Sequence, residues 1–118
     1  MRDHKKLRAF ELADEVALMT YNCTVDFPKH ELFGLTSQMR RAAVSVPSNI
    51  VEGCSRDSQA DFVRFRGIAF GSVRELEYQI TLAQRLGYLS ESQIFHDKTI
   101  ECSKVLGGLI RSLRKPKA

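Results

Sequence analysis

Histidine and carboxylate side chains could carry chemistry in this chain, and their spacing argues against the familiar sites. A di-iron helical bundle needs a glutamate three residues before a histidine, and none of His4, His30 and His96 has one. No glycine-rich phosphate-binding loop follows a predicted strand, and no nucleophile stands in a recognisable arrangement with a base. We therefore expect no catalytic residue, no cofactor and no metal. An enzyme is the least favoured class of function.

The cysteines give no further site. Cys23, Cys54 and Cys102 are odd in number, far apart and without a CxxC pair, so the sequence predicts neither a zinc site nor a disulfide framework. We expect reduced, partly buried thiols that behave as small apolar residues.

Length and composition predict one domain over residues 1–118. Of these residues 43% are hydrophobic, which is enough to surround a single core. The N-terminal MRDHKKLRAF is basic but no apolar run follows it, and the longest uncharged segments fall far short of the ~20 residues that a membrane span needs. We expect a cytoplasmic protein without membrane contact.

Apolar residues recur at three- and four-residue spacing in four segments, which predicts four amphipathic helices. No segment alternates with a period of two, so the predicted fold class is all-α. The predicted helices run from Leu7 to Asp26, from Phe33 to Gly53, from Ser58 to Leu86, and from a cap at Ser90 or Ser92 to an end marked by Pro116.

The second predicted helix contains Pro47, which removes one backbone hydrogen bond at a cost of about 3 kcal/mol in an unsupported helix. We predict a packed, bent helix in which the hydroxyls of Ser45 and Ser48 bind the freed backbone groups. The expected N-terminal caps are Thr36 or Ser37 for this helix and Ser55 or Asp57 for the third.

Two features of the helices predict close contacts and self-association. Gly67 and Gly71 interrupt the third helix, where we expect a neighbouring helix to approach closely. Apolar residues off the predicted core stripes would form extra apolar edges that a closed homo-oligomer could bury. These residues are Leu12, Met19, Phe70 and Val73.

Four polar residues lie beside the apolar stripes of helices two and three, where buried charges must be paired. We interpret them as structural residues that fix helix register and satisfy one another, rather than as ligand contacts. They are Arg41, Asn49, Glu52 and Glu75, and we predict an ion pair between Arg41 and Glu75.

Three long stretches carry a family resemblance: FELADEVALMTYNCTVDFP, FGLTSQMRRAAVSVPSNIVEG and RFRGIAFGSVRELEYQITLAQRLGYL. From Leu7 to Leu113 the chain resembles the four-helix bundle proteins encoded in intervening sequences of bacterial large-subunit ribosomal RNA genes. Glu11 stands where the family commonly has a tryptophan, which affects a packing contact and not the fold. The resemblance implies an antiparallel up-and-down four-helix bundle that assembles into a homopentamer. Relatives act as accessory variability proteins to reverse transcriptases in diversity-generating retroelements, and no biochemical activity is implied for this branch.

Positive charge is concentrated at the two ends of the chain, although the net charge is only +4. Residues 1–8 hold four basic residues and one acid, residues 104–118 hold five basic residues and no acid, and the remainder is net negative. In an up-and-down bundle both termini lie at one end, together with the turn between helices two and three. The predicted nucleic-acid-binding residues are Arg2, Lys5, Lys6, Arg8, Arg56, Arg64, Arg66, Arg111, Arg114, Lys115 and Lys117.

Two functions from different classes follow. The first is an accessory protein that binds RNA or DNA through this basic end, by backbone contacts with little base specificity, since Phe62 and Phe65 are expected in the core. The second is a protein-interaction scaffold without nucleic-acid contact, whose partner could be a reverse transcriptase or another protein. Salt-sensitive binding to nucleic acid favours the first, and a protein partner retained after nuclease treatment favours the second.

Overall fold

The computed structural model describes residues 2–90 and 93–114. Within these residues the chain forms four α-helices and two short 3-10 turns, with no strand. The all-helical prediction is therefore confirmed. The helices are α1 (Arg8–Thr24), α2 (Leu35–Cys54), α3 (Gln59–Arg85) and α4 (Gln93–Arg114), and the 3-10 turns are His4–Lys6 and Lys29–Glu31.

The residues that cap α2 and α3 lie within a few positions of the predicted caps but are not the predicted ones. Ser58 caps α3 by accepting a hydrogen bond from the Asp61 backbone N–H at 3.1 Å, so neither Ser55 nor Asp57 is the cap. The first backbone N–H of α2 is bound by a side chain from outside the helix, because the Glu31 carboxylate accepts the Leu35 N–H at 3.1 Å. This bond and a second from Tyr88 lower the pKa of the Glu31 carboxyl.

Neither Thr36 nor Ser37 caps α2 as predicted. The N-cap residue is Gly34, which has no side chain to cap the helix. The end of α3 is as predicted. Gly87 follows it with φ of 76°, a left-handed conformation that glycine adopts without steric cost.

All four helices contribute to one cluster of buried apolar side chains. Helix α1 packs against α2 and α4, and α3 packs against the same two helices. Leu12 and Val73, which we expected on exposed apolar edges, are only 2% and 0% exposed. The prediction was wrong because the buried stripe of a bundle helix spans more than the narrow set of positions we assigned to it. Met19 and Phe70 are partly buried against the core.

Helix α2 continues through Pro47 as a single helix, as predicted. The polar groups around the proline bind differently from the expectation. The Asn49 side chain donates to the Ser45 carbonyl at 2.8 Å, while the Ser45 hydroxyl bonds to the Ser72 hydroxyl of α3 at 2.8 Å. Ser48 is exposed. The hydrogen bond between Ser45 and Ser72 therefore connects α2 to α3, and the Ser45 hydroxyl does not bind the backbone group that Pro47 leaves free.

The close helix approach lies at Gly53 of α2 rather than at Gly67 or Gly71 of α3. A Cβ atom added at Gly53 would come within 2.9 Å of the Phe65 Cβ, whereas one added at Gly67 or Gly71 would meet no described atom within 4 Å. Our expectation of a close helix approach at the α3 glycines is thus wrong within one chain, since neither glycine has a neighbour that an added Cβ would contact.

This difference predicts opposite effects for two glycine-to-alanine changes. Gly53→Ala should lower the free energy of unfolding by about 1 to 3 kcal/mol, because the added methyl group overpacks the α2–α3 contact. Gly71→Ala should raise it by about 0.5 to 1 kcal/mol through helix propensity. Urea denaturation followed by circular dichroism measures both, and equal stability of the two variants would contradict the packing described here.

Candidate nucleic-acid interface

The start of the chain lies against the junction of α2 and α3. The Arg2 N–H donates to the Cys54 carbonyl at 2.9 Å, and the Arg2 guanidinium donates to the Gln59 side chain at 2.7 Å. The later part of α4 lies beside the first half of α3, where Gly107 approaches Phe70. Basic residues from three parts of the chain are thereby brought to one region, which we call the basic end. Its described members are Arg2, Lys5, Lys6, Arg8, Arg56, Arg64 and Arg111.

Three further predicted basic residues lie at or beyond the end of the described chain. Arg114 is the last residue of α4. Lys115 and Lys117 lie outside the described residues.

Three arginines of the basic end form ion pairs on the surface. Arg8 pairs with Glu101 at 2.6 Å, Arg56 with Glu52 at 2.6 Å, and Arg64 with Asp61 at 3.9 Å. Exposed pairs of this kind contribute only about 0 to 1 kcal/mol each, so an arriving phosphate can compete with the carboxylates. The other exposed members form no ion pair with any described residue. They are Arg2, Lys5, Lys6 and Arg111.

Two phenylalanine rings of the basic end are each contacted by two arginines. The guanidinium carbons of Arg2 and Arg66 lie 3.8 and 4.7 Å from the Phe62 ring centre. Arg56 and Arg64 lie 5.1 and 4.5 Å from the ring centre of Phe65. Both rings are buried, as predicted. Their contacts hold arginine side chains in place at modest cost in side-chain entropy.

The sequence analysis missed these arginine–phenylalanine contacts. The signal was present for one of them, because Phe62 and Arg66 are four residues apart and so lie on one helix face. The contact of Arg2 with Phe62 spans sixty positions and depends on the tertiary fold.

Arg66 does not belong to the exposed surface, contrary to the prediction. Its side chain is 0% exposed and donates from Nη2 to the Cys54 sulfur at 3.8 Å, while Nε and Nη1 have no acceptor among the described residues. Position 66 lies on the buried face of α3 with Phe62, Ala69 and Val73. Burial lowers the pKa of the Arg66 guanidinium; the nearby Cys54 opposes this shift and Arg2 adds to it.

Comparison with known proteins identifies the family. Residues 5–108 match the family model described as 23S rRNA-intervening sequence protein. The chain belongs to this family. The resemblance stated from the sequence is thereby confirmed.

The intervening-sequence protein also resembles a solved structure. A crystal structure at 1.70 Å of a protein with unknown function from the S23 ribosomal protein family of Bacteroides thetaiotaomicron VPI-5482 is 25% identical to it. The similarity covers 87% of this chain and 95% of that one, with a TM-score of 0.79. None of the curated proteins compared matches the chain.

The predicted ion pair between Arg41 and Glu75 of the intervening-sequence protein is absent. Both side chains are exposed, and no ion pair joins them within the part of the chain that the structure describes. They line opposite walls of one groove of about 340 Å³, so the predicted level along the helices was close. The polar contact across the groove is made instead by Ser45 and Ser72.

The other two structural polar residues have short-range partners within α2 and its C-terminal turn. Asn49 binds the Ser45 carbonyl, and Glu52 pairs with Arg56 four residues later. Neither contact joins two of the four polar residues, so Asn49 and Glu52 do not satisfy one another or the other two as we predicted. Among the described residues, no helix is long and apolar enough to cross a membrane, and no three metal-binding side chains cluster.

Proposed function

We propose that this intervening-sequence protein is a non-enzymatic accessory protein that binds RNA or DNA through its basic end. The observation that carries the proposal is the meeting of the chain start, the α2–α3 junction and the later part of α4, with three exposed arginines held against two phenylalanine rings. A surface of this composition attracts phosphates through released counterions.

An antiparallel up-and-down bundle underlies this proposal. Two contacts support it. Arg8 at the start of α1 pairs with Glu101 in α4, and the Tyr88 hydroxyl after α3 donates to Glu31 before α2 at 2.9 Å. The second contact joins the α1–α2 and α3–α4 connections at the end remote from the termini. Lys29 and Arg85 belong to that remote end.

Binding at the basic end is by backbone contact with little base specificity. The rings that could stack on bases, Phe62 and Phe65, are buried and already contacted by arginines. Exposed lysines and arginines instead contact phosphate oxygens, which carry no sequence information. Affinity should therefore fall steeply with salt and depend weakly on sequence.

The experiment compares two double variants with the same charge change. Lys5→Gln with Lys6→Gln removes two charges from the basic end, and Lys29→Gln with Arg85→Gln removes two from the remote end. For an oligonucleotide titrated by fluorescence anisotropy over a range of salt, the first variant should lower the slope of log affinity against log salt by about 2. The second should leave the slope within error of the parent protein. Equal slopes for the two variants would contradict the location of the site.

We also propose that the protein assembles into a homopentamer, which would repeat the basic end around a ring. Its support is an apolar surface of α1, α2 and their connection, beside a groove of about 590 Å³. Phe33 is 94% exposed there, which is unfavourable for a side chain of that size in a monomer. The exposed apolar residues of this surface are Leu18, Tyr21, Val25, Leu32, Phe33 and Val44.

Phe33→Asp should break the assembly, because it places a charge in the centre of this apolar surface. Light scattering should give a mass five times the 13.4 kDa chain for the parent protein and a smaller mass for the variant. Ile94→Asp, at an exposed position of α4 outside the groove, is the control and should keep the parent mass. A monomer mass for the parent protein at micromolar concentration would overturn the proposal.

The surface around Phe33 also favours the second candidate function, a protein-interaction scaffold. If the parent protein forms the oligomer but binds neither RNA nor DNA at low salt, the scaffold is the better account. A pull-down from the native host with and without nuclease separates the two functions. Partners lost with nuclease support nucleic-acid binding, and a protein partner retained after nuclease supports the scaffold.

A further inference from the structure

Arg66 is a buried cation that no carboxylate of the described residues pairs with. The guanidinium keeps its proton in proteins and offers five N–H donors. In this chain it is 0% exposed, and its only hydrogen bond among the described residues goes to the Cys54 sulfur, a weak acceptor, at 3.8 Å. Nε and Nη1 have no acceptor there, and no described carboxylate pairs with the side chain. Buried charges are ordinarily paired, so among the described residues this position lacks the carboxylate that would normally accompany a buried arginine.

The N-terminal segment, residues 2–6, is the nearest movable part of the chain. Arg2 binds the Cys54 carbonyl and stacks on Phe62, the same two residues that the Arg66 side chain contacts. Few buried contacts hold this segment against the helices. The bond from Arg2 to Gln59 is exposed, and no residue of the 3-10 turn His4–Lys6 is buried. Segments with few buried contacts open locally at small cost in free energy.

The chemistry of Arg66 selects the anion. The guanidinium fork matches two oxygens of one phosphate group, and Arg2 would supply a second cation to the same group. An internal phosphodiester has nucleotides on both sides and cannot enter a site reached from one direction. A terminal phosphate monoester is attached on one side only and carries more charge.

We propose that Arg66 binds the terminal phosphate of a nucleic-acid strand after residues 2–6 move away from Cys54 and Phe62, and that Arg2 then closes on the bound phosphate as the second cation. This inference rests on the proposed function, because it names the part of the nucleic acid that the basic end recognises. Inorganic phosphate has the same chemistry and is the other possible source of the anion.

The test uses two oligonucleotides of one sequence, one with a 5′-phosphate and one with a 5′-hydroxyl. The parent protein should bind the phosphorylated strand at least tenfold more tightly at equal salt. Arg66→Met should abolish this preference while retaining the affinity for the hydroxyl strand. Arg74→Met is the matched control on the same helix, where the arginine is exposed and paired with Glu77, and it should keep the preference. Circular dichroism and light scattering verify that each variant is folded.

Equal affinity of the parent protein for both strands would overturn the phosphate site and leave nucleic-acid binding intact. Binding of neither strand would mean that the proposed function has failed. A preference that survives in Arg66→Met would also overturn the site, because the phosphate would then bind elsewhere.

A second arm needs no oligonucleotide. Inorganic phosphate should raise the melting temperature of the parent protein above that in chloride of equal ionic strength, and should have no such effect on Arg66→Met. If inorganic phosphate stabilises the parent protein but the 5′-phosphate gives no preference, the nucleic-acid end is ruled out as the source. An equal effect of phosphate on both proteins contradicts a role for Arg66.

Discussion

Replacing Arg66 by methionine should raise the free energy of unfolding by about 1 to 4 kcal/mol in phosphate-free buffer. Arg66 is 0% exposed, and two of its nitrogen atoms have no acceptor among the described residues. Methionine is unbranched and flexible, so it can occupy the space between Cys54 and Phe62 without a buried charge. Urea denaturation measures the change.

The control for this prediction is Arg74→Met, at an exposed position two turns further along α3. It should change the stability by no more than about 0.5 kcal/mol. If Arg66→Met were instead destabilised by several kcal/mol, the arginine would have a counter-anion within the folded chain, and the case for an external phosphate would be lost.

Neutralising the C-terminal basic residues should weaken nucleic-acid binding on the order of 10²-fold to 10³-fold at about 0.1 M salt. The variant replaces Arg111, Arg114, Lys115 and Lys117 by glutamine, and each lost phosphate contact removes close to one unit of salt slope. Helix content and oligomer mass should not change, because Arg111 is exposed and forms no ion pair with a described residue. Anisotropy titration gives the affinity, and circular dichroism with light scattering gives the structural control. Unchanged affinity at low salt would refute a binding role for these residues.

The helices could be predicted because their apolar residues repeat with the period of an α-helix, and Pro47 did not break the pattern. The exact set of buried residues on each helix could not be predicted. Leu12 and Val73 were assigned to edges, although a bundle helix with two neighbours buries a wider face than a two-helix contact does.

The charge pattern predicted which parts of the chain meet at the basic end, but it did not predict the contacts that the basic residues make there. Segment charges placed both termini near the α2–α3 junction, and for the N-terminal segment the bonds from Arg2 to Cys54 and Gln59 agree with this. Arg66 was assigned to the surface by its charge and its position early in the third helix, although it lies on the buried face of α3. The prediction that Arg41 and Glu75 lie at similar heights along α2 and α3 was nearly right. A pairing of long exposed side chains, however, depends on rotamers that spacing does not determine.

Site-specific photocrosslinking tests the central claim most directly, namely that nucleic acid meets the basic end. A photoreactive amino acid replaces Lys6 at the basic end or Lys29 at the remote end, so that both proteins lose one exposed lysine. Irradiated with a labelled oligonucleotide at low salt, the protein with the probe at position 6 should form a crosslinked product that disappears as salt is raised. The protein with the probe at position 29 should form little or none. Equal crosslinking at the two positions, or stronger crosslinking at position 29, would contradict the account.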